Sequence, residues 1–166
     1  MSRIGTFPDD DLAGWVLKSP DLGGAIGAFA NAVYNKNRLP MRTRELARMV
    51  IAHDNECEVC VNTRDGSMDA GDSDLTEELY HHAREWRTWP GYSDQERLAA
   101  EFAHRFATEH TVLRDDEDFW NRCHEHFSEE LLADLALSCA LWIGMGRVLR
   151  TLDIGQTCKL TLPSRV

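Results

Sequence analysis

Two cysteines three residues apart, Cys57 and Cys60 in the stretch NECEVCVNTR, hold the most evident chemistry of a chain that has five cysteines. On a helix this spacing puts both thiols on one face. A helix beginning near Asn55 would place them in its first turns, where free N–H groups and the macrodipole favour an anion and lower a thiol pKa. A thiolate so placed attacks a disulfide or a peroxide, and the second thiol resolves the product by forming a disulfide. Two other readings compete with this one. Cys123 and His126 in CHEH repeat the spacing, so the four residues could compose a Cys3His zinc set. Structural zinc pairs sit on tight turns, however, whereas both pairs here fall on expected helices. Two buried, inert thiols would leave the same pattern, because cysteine packs as a small hydrophobe. The redox dithiol is the favoured reading, with no metal and no cofactor expected.

Glu45 lies twelve residues before Cys57, in the run RELARMVIA. An acid within an apolar helical face is costly unless it is paired, exposed or functional. The bland alternative makes it the i, i+3 partner of Arg48 or Arg42 on a solvated face. Arg64 follows Cys60 by one helical turn. It stays protonated near neutral pH and cannot serve as a base, but it can favour a thiolate or pair with Glu45 to hold two helices together. His53 precedes Cys57 by four residues and could reach the site, although a histidine at a helix end is commonly there for the dipole. His81 and His82 are adjacent and point about 100° apart, so they cannot enter one site together. His104, His110, His124 and His126 fall on faces that look solvated. Cys139, Cys158 and the tryptophans Trp86, Trp89, Trp120 and Trp142 read as packing residues.

These residues need helices to position them, and helical periodicity is what the chain offers. Leu22 to Tyr34 forms one apolar segment, interrupted by Gly23, Gly24 and Gly27. After Pro40, Leu46, Met49, Val50 and His53 recur at helical spacing. The CEVC helix is expected to run from Asn55 to Gly66, followed by one over 72–86 capped by Asp74. Ser93 and Glu96 form a capping box opening a helix to about His110, and Asp115 to His126 is another. Thr88 to Gly91 reads as a turn. The last helix, from Ser128 to Asp153, carries Leu131, Leu135, Trp142, Gly146 and Leu149 on one stripe and Leu132, Ala136, Ile143 and Val148 on a second. It should be central, or buried against another subunit, with GMG at 144–146 admitting a close neighbour. No period-2 strand pattern is visible. The fold class is all-α, a compact bundle of six to eight helices in one domain over 1–166.

Composition is ordinary for a globular protein, with 43% hydrophobic and 28% charged residues. The net charge of −10 disfavours nucleic acid and anionic membrane as partners. The best apolar run, Leu135 to Gly146, falls short of the roughly 20 residues a bilayer needs. The N-terminus, MSRIGTFPDD, does not resemble a signal peptide, so a cytoplasmic location is expected.

The stretch RELARMVIAHDNECEVCVNTR, residues 44–64, resembles the AhpD-like superfamily, which joins alkylhydroperoxidases to carboxymuconolactone decarboxylases. FSEELLADLALSCALWIGMGRVLRTLDI resembles that family's long C-terminal helix, and the likeness covers about residues 35–160. The resemblance implies an all-α fold built on a helical hairpin and assembled as a trimer or hexamer. It implies a CxxC pair that reduces hydroperoxides and is recycled by a dithiol partner, such as a lipoyl or thioredoxin-like protein. Glu45 then matches a glutamate of the family's proton relay, and Cys57 and Cys60 match its dithiol. The relay histidine's position holds Arg64. Which cysteine attacks first stays open: the helix start favours Cys57, the relay favours Cys60. Two rivals remain, a lyase resembling carboxymuconolactone decarboxylase, which needs no dithiol, and a non-catalytic oligomeric binding module.

Overall fold

A computed structural model describes residues 2–8, 11–68, 74–156, 159 and 161–162. Its organising element is the second helix. Helix α1 spans Pro20–Asn35 and α2 spans Met41–Asp54. In α2 every residue from Thr43 to Ala52 is buried. Such complete enclosure requires neighbours all round, and α5 (Asp94–Thr108) and α8 (Glu129–Leu152) supply most of them. Between these lie α3 (Glu58–Asn62), α4 (Glu77–His81), α6 (His110–Arg114) and α7 (Glu117–His126). Eight α-helices among the described residues agree with the all-α expectation.

The strongest local signals appear where the sequence puts them. Ser93 accepts from the Glu96 amide while the Glu96 carboxylate accepts from the Ser93 amide, closing the capping box that starts α5. Ser128 and Asp116 cap α8 and α7 by accepting a single bond each, from the Leu131 and Phe119 amides. Helix α8 ends at Asp153, which takes a left-handed conformation (φ 55°). Its buried stripe is Leu135, Ser138, Cys139, Trp142 and Gly146, with Leu141 beside it, while Leu137 is 56% exposed. By length and composition alone α8 could cross a membrane; here that buried stripe packs on α1, α2 and α5 as a core helix does.

Three expectations need correction. The CEVC helix ends at Asn62, short of Gly66, because Thr63 is extended and its hydroxyl turns back to the Val59 carbonyl at 2.7 Å. Arg64–Asp65 then forms strand β1, paired in parallel with β2, Thr161–Leu162, a contact no alternation in the sequence signals. The expected 72–86 helix is broken. Residues 69–73, including Asp72, lie outside the described ones; Thr76, not Asp74, caps α4, and Ala83–Glu85 is a separate 3-10 turn. The α5 segment stops at Thr108, where Glu109 leaves helical geometry and α6 restarts the chain. Cys158 also falls outside the described residues.

Of the glycines in the GMG stretch, Gly146 is the one that admits a neighbour. A Cβ there would stand 2.4 Å from the Asn55 side-chain nitrogen, whereas one on Gly144 would meet nothing within 4 Å. The close approach ties α8 to Asn55, the residue that opens the turn into the dithiol.

Candidate active site

The dithiol is held by a turn pinned from both sides. Asn55 donates from Nδ2 to the Trp142 carbonyl (3.1 Å) and accepts from Arg147 Nε (3.1 Å), fastening the end of α2 to α8. Glu56 takes a positive φ of 50°, a conformation that favours glycine, and the chain reverses there. The Cys57 amide then reaches back to the Ala52 carbonyl (3.1 Å), and Cys57 becomes the N-cap of α3. Cys57 and Cys60 are joined as a disulfide with Cα atoms 5.2 Å apart. Helix α3 has only five residues, so the macrodipole that the long expected helix would have offered Cys57 is small.

The two sulfurs differ in access. Cys57 is fully buried. Cys60 is partly exposed and lines a cavity of about 210 Å³ between α1, α2, α3 and α8. Its wall is mostly apolar, including Leu12, Ala30, Leu141, Met145 and Leu149, with Leu162 of β2 on one side. Tyr34, Arg48, Thr63 and Trp142 are its lining residues with polar side chains, the Trp142 indole nitrogen itself being buried.

Beneath the cavity lies a buried charge cluster that the sequence only partly suggests. Glu45 is fully buried, not on a solvated face. Its Oε2 receives Arg48 at 2.8 Å and the Tyr80 hydroxyl at 3.2 Å, and its Oε1 receives Arg44 at 3.1 Å. Arg44 also pairs with Asp65 and donates to the Tyr34 carbonyl. Two guanidinium groups and two carboxylates thus balance, which is what lets four charges sit out of water. Arg42, the other suggested partner of Glu45, instead bonds Glu96 at 2.6 Å. Burial acts most strongly on Asp65 and would raise its carboxyl. The Ser67 hydroxyl and amide, with Arg44, outweigh it and hold the group below the usual carboxylate range.

Arg48 connects this cluster to the dithiol. Its Nη1 donates to the Cys60 carbonyl (2.8 Å) and its Nη2 to the Thr63 carbonyl (2.9 Å), so it caps the last turn of α3. The guanidinium fixed on the backbone of the CEVC turn is thus that of Arg48 as well as that of Arg64. In the sequence Arg48 is visible only as the i, i+3 partner of Glu45, and nothing local says that it reaches across to the next helix.

Arg64 and His53 are placed elsewhere. Arg64 bonds Glu77 (3.0 Å), stacks over the Tyr80 ring (4.4 Å) and donates to the Val61 and Thr63 carbonyls; it does not reach Glu45. His53 accepts from Arg84 Nε at Nδ1 (3.2 Å). Burial, Arg84 and Arg48 push its pKa down to about 4, so the ring is neutral. Neither residue lines the cavity. Among the described residues no three of His, Cys, Asp and Glu converge as metal ligands, and Cys123 of the suggested zinc set is buried in the core. His104, read as solvated, bonds Asp54 (3.0 Å).

Residues 20–105 match the model of the carboxymuconolactone decarboxylase family. Among curated proteins, the chain is 29% identical over 99 residues to Uncharacterized protein YdfG of Bacillus subtilis (strain 168), a match covering 57% of this chain and 63% of that one. Three solved structures share the fold. The Agrobacterium tumefaciens protein of unknown function ATU0492, proposed as an antioxidant defence protein AhpD, aligns with TM-score 0.70 and 21% identity over 84% of this chain and 93% of its own. The debrominase Bmp8 aligns with TM-score 0.68 and 21% identity over 84% and 73%. An alkylhydroperoxidase AhpD core, an uncharacterized peroxidase-related protein from Ralstonia eutropha JMP134, aligns with TM-score 0.71 and 17% identity over 86% and 78%.

Proposed function

The chain belongs to the carboxymuconolactone decarboxylase family, and from that premise we propose that it is a thiol-dependent hydroperoxide reductase working through Cys57 and Cys60. The observation that supports this most is the asymmetry of the pair: Cys60 opens on a small apolar cavity while its partner sulfur is sealed behind it. In this reading Cys60 attacks and Cys57 resolves. The Cys60 thiolate takes the terminal peroxide oxygen, breaking the O–O bond and leaving a sulfenic acid and an alcohol. The Cys57 thiol then displaces the hydroxyl as water, and the disulfide forms.

Arg48 serves as the fixed cation that favours the thiolate, and Glu45 acts through Arg48 by holding it in place. Arg64 and His53, outside the cavity wall, support the surrounding chain and carry no step. A cytoplasmic dithiol protein of the lipoyl or thioredoxin-like kind returns both cysteines to thiols. Exposed small residues on α1 and α8, such as Gly24, Gly27 and Gly144, together with Leu137, offer a face on which copies assemble as a trimer or hexamer.

The test is stopped-flow consumption of an organic hydroperoxide by the reduced protein, by Cys60→Ser and by Cys57→Ser. Cys60→Ser should be inert, and Cys57→Ser should react once and stall as the sulfenic acid. If both react as fast as the parent, the dithiol is not the site. Lyase activity that persists in both serine variants would favour the decarboxylase-like reading instead.

A further inference from the structure

In the disulfide form that the molecule shows, Cys60 has no thiolate to offer, yet the cavity it lines keeps a second sulfur, that of Met145. We propose that Met145 is an oxidation site. A hydroperoxide held in the cavity while the dithiol awaits reduction converts the thioether to the sulfoxide, and that sulfoxide shuts out further substrate. The proposal rests on the hydroperoxide reading of the cavity.

Met145 is set apart from the other described methionines by its placement and by what its sulfur touches. On α8 it stands four residues after Leu141 and four before Leu149, and these three share the row that faces the cavity. Met49 is buried, and its sulfur accepts from Arg48 Nη2 at 3.6 Å. The Met41 sulfur accepts from the Ser67 hydroxyl at 2.9 Å. In both, a lone pair that would attack an oxygen is already engaged. Met68 is half-buried and packs on the core, but it does not line the cavity. Met145 is half-buried, and among the described residues no hydrogen bond reaches its sulfur.

The wall around Met145, including Ala30, Ala52 and Leu162, is apolar and retains a hydroperoxide by its hydrocarbon part. In the step itself a Met145 sulfur lone pair bonds the terminal peroxide oxygen and the O–O bond breaks. The proton of that oxygen passes to the departing alkoxide, which leaves as alcohol. The sulfur loses two electrons and the peroxide gains the same two, so no other reagent is consumed. The product exchanges a flexible apolar side chain for a polar one. Its oxygen holds water where the hydrocarbon part of a substrate would lie. Because this happens while Cys60 is tied to Cys57, Met145 registers how long the dithiol has stood without reductant.

In the test, the disulfide form of the protein is incubated with cumene hydroperoxide, with and without an excess of the product alcohol, 2-phenyl-2-propanol. Peptide mass spectrometry follows the gain of one oxygen at Met41, Met49, Met68 and Met145. Met145 should gain it at least about tenfold faster than Met68, and the alcohol should slow Met145 about threefold while leaving Met68 unchanged. The treated protein is then reduced with dithiothreitol, and its hydroperoxide consumption is compared with that of an untreated sample. The parent should fall about tenfold, and Met145→Leu, against its own untreated sample, less than about twofold. Oxidation of Met145 no faster than Met68, absence of protection by the alcohol, or an equal fall in parent and Met145→Leu would overturn the inference while leaving the dithiol reading intact. An untreated, reduced parent that consumes no hydroperoxide would remove both.

Discussion

Cysteines occupy two regions of this molecule and are treated oppositely in them. On α3 the Cys57–Cys60 pair sits above four balanced charges and at the edge of a cavity. On α7 and α8, Cys123 and Cys139 are fully buried and free. Burial, with Glu101 adding to it and Arg122 and Arg105 opposing, pushes the Cys123 thiol up to about 12, and burial alone raises Cys139 strongly. CHEH on α7 and CEVC on α3 share a spacing, yet only CEVC has a cysteine on a cavity wall. Reactivity here is a property of the surroundings, not of the Cys-x-x motif.

The sharpest way to break that contrast is differential alkylation of the reduced native protein. At pH 8 a thiol with a pKa near 12 is thiolate in only about one molecule in ten thousand. Cys60 should therefore label roughly a thousandfold faster than Cys123 by peptide mass spectrometry. Similar rates would mean the two environments do not differ as argued.

The charge bed under the dithiol gives the next effect. Glu45→Ala leaves Arg44 and Arg48 buried without their shared carboxylate, and urea unfolding should show a loss of about 3–5 kcal/mol. Cys139→Ala, in the apolar region, should cost only about 1 kcal/mol. Equal costs would show that the charges do not support the site. Gly146→Ala falls between them. It forces a methyl against Asn55 and should cost about 1–3 kcal/mol while slowing the dithiol reaction, since Asn55 anchors the turn before Cys57. An unchanged midpoint and rate would remove that link.

The smallest effect is a pH slope. The folded pKa of His53, about 4, lies below the ordinary 6.5, so the unfolded chain takes up the proton first. Stability should therefore fall as pH drops from about 6.5 through 4, and His53→Gln should flatten part of that slope in pH-dependent urea melts. An identical slope in both proteins would place the loss on other groups.

How much of the molecule is legible in its sequence depends on the range over which each signal acts. The capping box at Ser93, the start of α8 at Ser128 and its buried stripe are set by residues within two turns and are found as expected, while α7 starts at Glu117 with Asp116 as its cap, two residues past the expected Asp115. The end of the CEVC helix is not legible locally because its stop signals are distant: Arg48 of α2 caps its carbonyls, and Thr161–Leu162 draws Arg64–Asp65 into a strand. For the same reason Arg64, expected over the dithiol, is found on Glu77 and Tyr80. Tyr34 and Trp142 carry no local mark of the cavity they line, because a tyrosine at a helix end and a tryptophan on an apolar stripe read as packing.

The sequence by itself determined the helical class, the family and the dithiol, because periodicity, caps and the RELARMVIAHDNECEVC spacing are local facts. Only the tertiary structure decided that Glu45 is buried between two arginines, that Arg48 reaches the dithiol, and that Cys60 rather than Cys57 opens on the cavity. Those outcomes depend on which helices meet and how deeply, and desolvation and charge pairing act between side chains that no spacing along one helix brings together.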